Sequence, residues 1–251
     1  MPICTTDGRN NSELFIHILG LRHWIFIILT ALVLTGCEVI NWSDRYIQVD
    51  LTTNTRRHVL LDFTGFRCVN CPTAAELAAN LQETYNESLY VVSLHPASNP
   101  FTQGAYDYTC PAADSIYQML GGTATTPFPV GNVDMKPFRG EWLSDMSVWS
   151  TMVYEAMRDT IMPTLSGLEK SYWLIEDSVL GVQAMPDGSV NTEYYHRHML
   201  RDVNADKARL ELKESYNSTQ LYVLTLYLDP EDKHIIHAYE EKYIDSFDLP
   251  D

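Results

Sequence analysis

Two kinds of hydrophobic pattern follow one another along this chain. His58-Val59-Leu60-Leu61-Asp62-Phe63-Thr64 is a compact apolar run closed by Gly65, the pattern of a buried central strand. From Thr73 to Tyr85, the residues Ala74, Leu77, Ala78, Leu81 and Tyr85 recur at three-four spacing and predict an amphipathic helix. The run 89–94 repeats the buried-strand pattern, so strand, helix and strand in this order predict a βαβ unit with a parallel strand pair. The stretch 96–126 is rich in Pro, Gly, Ala and Tyr and holds one short helical candidate at 113–120. A strand is expected near 131–135. Trp142, Met146, Trp149, Val153, Met157 and Ile161 then predict a helix over 141–161, ended by Pro163.

Beyond Leu165 the texture changes to β-branched and aromatic runs separated by turn residues. Strands are expected near 172–175, 179–184, 193–200, 220–228 and 234–243. Pro186-Asp187-Gly188 and Asp229-Pro230-Glu231-Asp232 carry turn chemistry. The segment 205–218 reads as a short helix or a solvated loop. The expected organisation is an α/β domain over 58–163 followed by a smaller β-rich, sandwich-like domain over 164–251.

The first residues are a different material. Arg22 and His23 precede an uncharged apolar run, 24–34, which is short for a bilayer span and has the length of a signal-peptide core. It ends in Leu34-Thr35-Gly36-Cys37, which resembles the bacterial lipobox, where the cysteine is lipidated and becomes the new amino terminus. The resemblance implies a signal segment 1–36 and a lipid anchor at Cys37. It also implies a tether over 37–57, with a membrane as partner through the acyl chains, each buried methylene contributing ~0.8 kcal/mol.

Composition narrows the rest. A 45% hydrophobic content over 251 residues suits a chain that buries a core, and 33 acids against 17 bases exclude a phosphate backbone as partner in the absence of a basic patch. No phosphate-binding glycine loop, HExxH or GxSxG is present, so no cofactor is expected.

With Cys4 in the signal segment and Cys37 acylated, Cys68, Cys71 and Cys110 remain, in a compartment where disulfides persist. Cys68 and Cys71 are spaced CxxC at a strand-to-helix junction. Two intervening residues at a helix start let the sulfurs meet while the helix dipole stabilises a thiolate. The alternative, a zinc site completed by Cys110 and a histidine, lacks a second CxxC or an HxxxH; no metal is expected. His196-Arg197-His198 on one strand would put both imidazoles on one face, although polar residues on a solvated face are the simpler reading. His58 and His95, near the ends of adjacent strands, could approach the cysteine site, although a structural role is the default reading.

The segment from Val59 to Cys71 resembles the thioredoxin signature: a buried strand, an acid six residues before the first cysteine, and an amphipathic helix after the second. The resemblance implies Cys68 as nucleophile, Cys71 as resolving thiol and Asp62 as buried proton acceptor. It also implies a cis-proline that offers backbone to a peptide, with Pro127 and Pro129 as candidates and Phe128-Pro129 preferred because a strand follows. Arg67 stands where that family usually has Trp, and Val69-Asn70 where it usually has Gly-Pro; a guanidinium beside Cys68 favours the thiolate.

Asp62 to Pro72, Val91 to His95, Phe128 to Asp134, Ile175 to Val179 and Tyr195 to Arg201 together resemble the family related to the twenty-eight-kilodalton outer-membrane protein of Gram-negative bacteria. That resemblance implies a lipid-anchored outer-membrane protein, facing the periplasm or the cell surface, with a thioredoxin-like domain and a β-rich tail. Two functions are expected from these features: thiol-disulfide exchange on envelope or surface proteins and peptides, or a binding or adhesion module in which Cys68 and Cys71 form a structural disulfide.

Overall fold

Strand β1 (His58–Phe63) is buried along its whole length and sits between two neighbours. It pairs in parallel with β2 (Leu89–Leu94) and antiparallel with β3 (Val130–Val133). These assignments come from a computed structural model, which describes residues 55–242. The expected signal segment, the lipidation site Cys37, Cys4 and most of the tether lie outside the described residues. Contacts with the domain already begin at Thr55, which bridges Ile161, so 55–57 belong to the fold and not to a tether.

Between β1 and β2 runs α1 (Cys71–Tyr85), with Pro72 in its first turn, where a missing N–H costs nothing. α2 (Pro111–Met119) likewise starts on a proline. Side-chain alternation along β1 sorts the core into two layers. Val59, Leu61 and Phe63 pack with Ala113, Ile116 and Tyr117 of α2. Leu60, facing the other way, packs with Ala74, Ala78 and Leu81 of α1 and with α3 (Trp149–Ala156). Fully burying such a side chain contributes about 1.5–3 kcal/mol.

The helix expected over 141–161 is much shorter. Ser144–Asp145 pairs with β3 as a two-residue strand, β4, and the Asp145 carboxylate accepts the Ser147 N–H to start a 3-10 turn. The three-four spacing of Met146, Trp149 and Val153 therefore comes from a turn and a helix facing one core, while Trp142, ahead of β4, is exposed. Trp149 lies against Gly131, where a Cβ would stand 2.5 Å from the indole, so only glycine admits this packing.

The second half does not form a separate sandwich-like domain. Its strands are β5 (Glu169–Glu176), β6 (Val179–Ala184), β7 (Val190–His196), β8 (Met199–Asn204), β9 (Leu221–Leu228) and β10 (Ile235–Lys242). Four of them widen the first sheet into eight strands, ordered β10-β9-β5-β8-β2-β1-β3-β4. β8 joins beside β2 in parallel at Ser93 and Met199, and Trp173, Ile175, Leu200 and Leu224 enter the same core cluster as β1. A composition change at Pro163 marked a change of strand type inside one sheet. The strand expected over 193–200 is broken at Arg197 and His198, the latter at φ 51°, and divides into β7 and β8. Segment 205–218 is a loop with one 3-10 turn at Lys207–Arg209. β6 and β7 form a separate two-stranded hairpin. Among the described residues, no helix is long and apolar enough to cross a membrane.

Candidate functional site

Leu60 faces α1, so by the two-residue period Asp62 faces it as well, beneath the helix's first turn. Asp62 pairs in register with Ser93 on β2, and His95 follows two positions beyond Ser93 on that same side. The ends of β1 and β2 therefore deliver a carboxyl and an imidazole to the ground under Cys71. Cys68 and Cys71 are joined in a disulfide, with their Cα atoms 5.4 Å apart. The Cys68 N–H donates to Gly65 O at 3.0 Å and the Cys71 N–H to Cys68 O at 3.3 Å, which winds the chain into α1.

The disulfide is covered. Cys68 is 1% and Cys71 2% exposed, and hairpin β6–β7 lies over the segment that precedes them. The Ala184 N–H donates to Phe66 O at 2.8 Å. Gln183, itself buried, donates through Nε2 to Cys68 O at 2.9 Å, to Gly65 O at 3.4 Å and to Ala184 O at 3.0 Å. The Val182 N–H donates to the Tyr108 hydroxyl at 3.0 Å, and Gly181 leaves the space that this hydroxyl occupies. The hairpin's other strand supplies Tyr194 and His196. Together with Asp62, Cys71, Ser93 and His95 they line a cavity of about 20 Å³.

The polar groups in this cavity are poorly partnered. Asp62 Oδ1 and both ring nitrogens of His95 are buried without a hydrogen bond from the protein. Burial raises the Asp62 carboxyl from the usual range to about 7. Burial, helped by the nearby His196 and Arg201, pushes His95 well below the usual imidazole range. His196 is lowered to about 4, again chiefly by burial, with Nε2 at 3.2 Å from Val182 O. At neutral pH the site thus holds a carboxyl near its midpoint and two neutral imidazoles 5.6 Å apart between ring centres.

The other candidate residues are distributed as follows. The Phe128–Pro129 peptide is the cis one, at the entry to β3. The Phe128 ring is buried against Phe101 and Tyr117, so it faces the core and not a substrate. Arg67 is exposed, and its guanidinium reaches toward Gln103 O at 3.5 Å. Cys110 is a free, buried thiol at the start of α2, pushed up to about 11 by burial, which leaves it protonated and inert at neutral pH. His58 lies at the far end of β1 and is fully engaged. His196 and His198 do not share a face: His198 turns to the Tyr222 hydroxyl at 2.9 Å and to Asp177 at 3.5 Å. Among the described residues, no three His, Cys, Asp or Glu side chains gather as metal ligands do, and the disulfide ties up two of the thiols a zinc site would use.

Gln183, Tyr108 and Tyr194 were not singled out from the sequence, and their types carry no local signal for this position. His95, near the end of a strand adjacent to β1, was placed where it could approach the cysteine site, whereas His196 had no signal in the sequence to meet Asp62.

No protein-family model matches the chain, and no curated protein matches it. Among solved structures, HBP35 of Porphyromonas gingivalis superposes with a TM-score of 0.54 at 16% identity, covering 75% of this chain and 75% of that one. A protein of Agrobacterium tumefaciens covers 73% of this chain and 92% of its own at 13% identity, with a TM-score of 0.43 too low to argue from. This first likeness shows the fold alone, a mixed α/β arrangement built on a large sheet.

Proposed function

We propose that this chain is an envelope lipoprotein, anchored through Cys37, whose Cys68–Cys71 pair exchanges disulfides with envelope proteins or peptides. The observation that carries this reading is Asp62. A carboxyl buried without a partner costs several kcal/mol unless it takes a proton, and a disulfide that only braces the fold has no use for one. A resolving thiol does. Asp62 shares its cavity with Cys71, and its pKa of about 7 lets it give or take a proton near neutrality.

The chemistry balances without a cofactor. A substrate thiolate attacks Cys68 Sγ, the Cys68–Cys71 bond breaks, and Cys71 leaves as a thiolate that takes the Asp62 proton. A second substrate thiolate then attacks the substrate sulfur bound to Cys68. This forms the substrate disulfide and releases Cys68 as a thiolate held by the start of α1. The substrate loses two electrons and the cysteine pair gains them. Run backwards, the same steps reduce a substrate disulfide. Because both cysteines are covered, the hairpin β6–β7 has to lift before either direction proceeds.

A Cys71→Ser variant tests the reading. It should accumulate mixed disulfides through Cys68 with envelope proteins in intact cells. An empty trap, from a variant whose Cys68 still reacts with a small alkylating reagent, would sink the proposal.

A second reading is favoured by the burial of the disulfide and by Leu180, Val190 and Tyr195, which are more than half exposed on the hairpin. In that reading the bond is structural and the hairpin contacts a partner in a lipid-anchored binding or adhesion module related to the outer-membrane family. A reduction potential below about −300 mV would support it, and ready exchange with a glutathione buffer would count against it.

A further inference from the structure

We infer that His95 is a positioning residue for Asp62, and that the two are joined by one buried water held in the cavity beneath Cys71. The inference deepens the exchange reading, and its catalytic consequence rests on that reading; the link between the two side chains does not.

Three observations carry it. Register and alternation put the side chains on one face of adjacent strands, with Ser93 between them. The cavity they share, about 20 Å³, exceeds the ~10–15 Å³ that one water needs, and such a water needs two to four polar partners. Those partners are present and otherwise unused: Asp62 Oδ1, His95 Nδ1 and His95 Nε2 all lack a hydrogen bond from the protein. Native proteins leave few buried polar atoms in this condition, and three around one water-sized cavity have a common explanation.

The groups packed around His95 fix the direction of the hydrogen bonds. His196 faces it from β7, Tyr108 from the loop before α2, Asp62 from β1, and the Arg201 charge acts from β8; Tyr194 and Arg197 line the same cavity beside Asp62. Arg201 is itself held by Glu176 at 2.7 Å and by Asp107 O at 2.6 Å. A cation next door and burial together keep the His95 ring neutral. A neutral ring has one N–H, and directed at the water it turns a water proton toward Asp62. The carboxylate gains a donor, so its ionised form is less costly than burial alone would make it. His95 thereby sets where Asp62 gives up its proton without touching the sulfur.

The test compares the full-length protein with His95→Leu and His95→Gln, following Asp62 by carboxyl-carbon NMR in the resting disulfide form. The Asp62 midpoint should rise by about one pH unit in the leucine variant and return toward wild type in the glutamine variant, which restores a donor. The pH profile for reduction of the disulfide by dithiothreitol should move by the same amount. A moved midpoint with an unmoved profile would leave the His95 link standing and remove the exchange reading. A midpoint identical in all three proteins would overturn the link. If the leucine variant does not fold, a high-resolution crystal structure of the wild type decides: an ordered water within hydrogen-bond reach of both Asp62 and His95 supports the inference, and its absence overturns it.

Discussion

At the start of β1, His58 lies in a buried polar cluster in which nearly every atom is answered. Its Nδ1 is 2.6 Å from Asp134 Oδ2, its Nε2 is 3.1 Å from Asp159 O, and Asp134 Oδ1 accepts the Val59 N–H at 2.9 Å. Arg56 adds ion pairs to Asp134 and Asp159. At the other end of the same strand, Asp62 is as deeply buried, and its Oδ1 and both ring nitrogens of the neighbouring His95 go unanswered by the protein. One strand therefore carries two buried ionisable groups under opposite treatment. The satisfied cluster ties the chain at 55–59 to the loop after β3 and to the turn after α3. The unsatisfied one sits beside a disulfide and keeps a proton that can move. A buried charge that is fully paired reads as structure; one left short of partners beside a reactive bond reads as function.

The largest expected effect breaks the satisfied end. Asp134→Ala removes a partner from His58, from Arg56 and from the Val59 N–H together, leaving a buried guanidinium with less than its charge requires. The cost should be about 3–5 kcal/mol of unfolding free energy, read by urea denaturation. A loss below about 1 kcal/mol would mean the cluster is not what secures this edge.

The same kind of change at the other end should have the opposite sign. Because folding raises the Asp62 pKa from 3.8 to about 7, the folded state holds that proton more tightly than the unfolded state. Stability from this group is full below about pH 4 and is lost as pH rises toward 7 and beyond. Asp62→Asn should therefore stabilise the protein at pH 8, by at most about 4 kcal/mol, and add little at pH 4. It should also slow the resolving step of exchange tenfold or more. Equal effects at both pH values would show that Asp62 is not held protonated by burial.

Much of this end of the molecule was legible in the sequence, because its signals are local. The apolar run at β1 and the spacing Ala74, Leu77, Ala78, Leu81 predict a strand and a helix with Cys68 and Cys71 at their junction, and the resemblance to the thioredoxin signature is what implied a buried Asp62. What covers the site was not legible. Pro186-Asp187-Gly188 announces a hairpin, and β6 falls on the expected residues. Nothing in its pattern says that Gln183 will reach Cys68 O across 115 positions of chain, or that Gly181 is small because Tyr108 needs the room. The sheet held a similar ambiguity. β5, β8, β9 and β10 read as β-branched and aromatic runs that a separate domain would also carry, and only the pairing of Ser93 with Met199 reveals that they extend the first sheet.

The smallest effect tests whether the two ends differ in mobility as well as in hydrogen bonding. The hairpin is held over the cysteines by few polar contacts: the Ala184 N–H to Phe66 O, the Val182 N–H to Tyr108 and the three from Gln183 Nε2. The two Gln183 bonds that cross to Gly65 and Cys68 are the ones a side-chain change removes without touching the backbone. Each such bond is worth about 0.5–1.5 kcal/mol net, so losing both in Gln183→Ala should raise the population of the lifted hairpin by roughly fivefold to a hundredfold. The rate at which dithiothreitol reduces Cys68–Cys71 should rise by the same factor, and amide exchange at Ala184 should quicken with it, because local opening governs both. Amides of β1 near His58 should keep their protection, since that cluster shares no partner with the hairpin. If reduction accelerates while Ala184 exchange does not, access comes through the loop at Phe101 to Tyr108 and the cover lies there instead. If neither changes, reduction waits on opening of the whole sheet, and the disulfide behaves as the structural bond of the second reading.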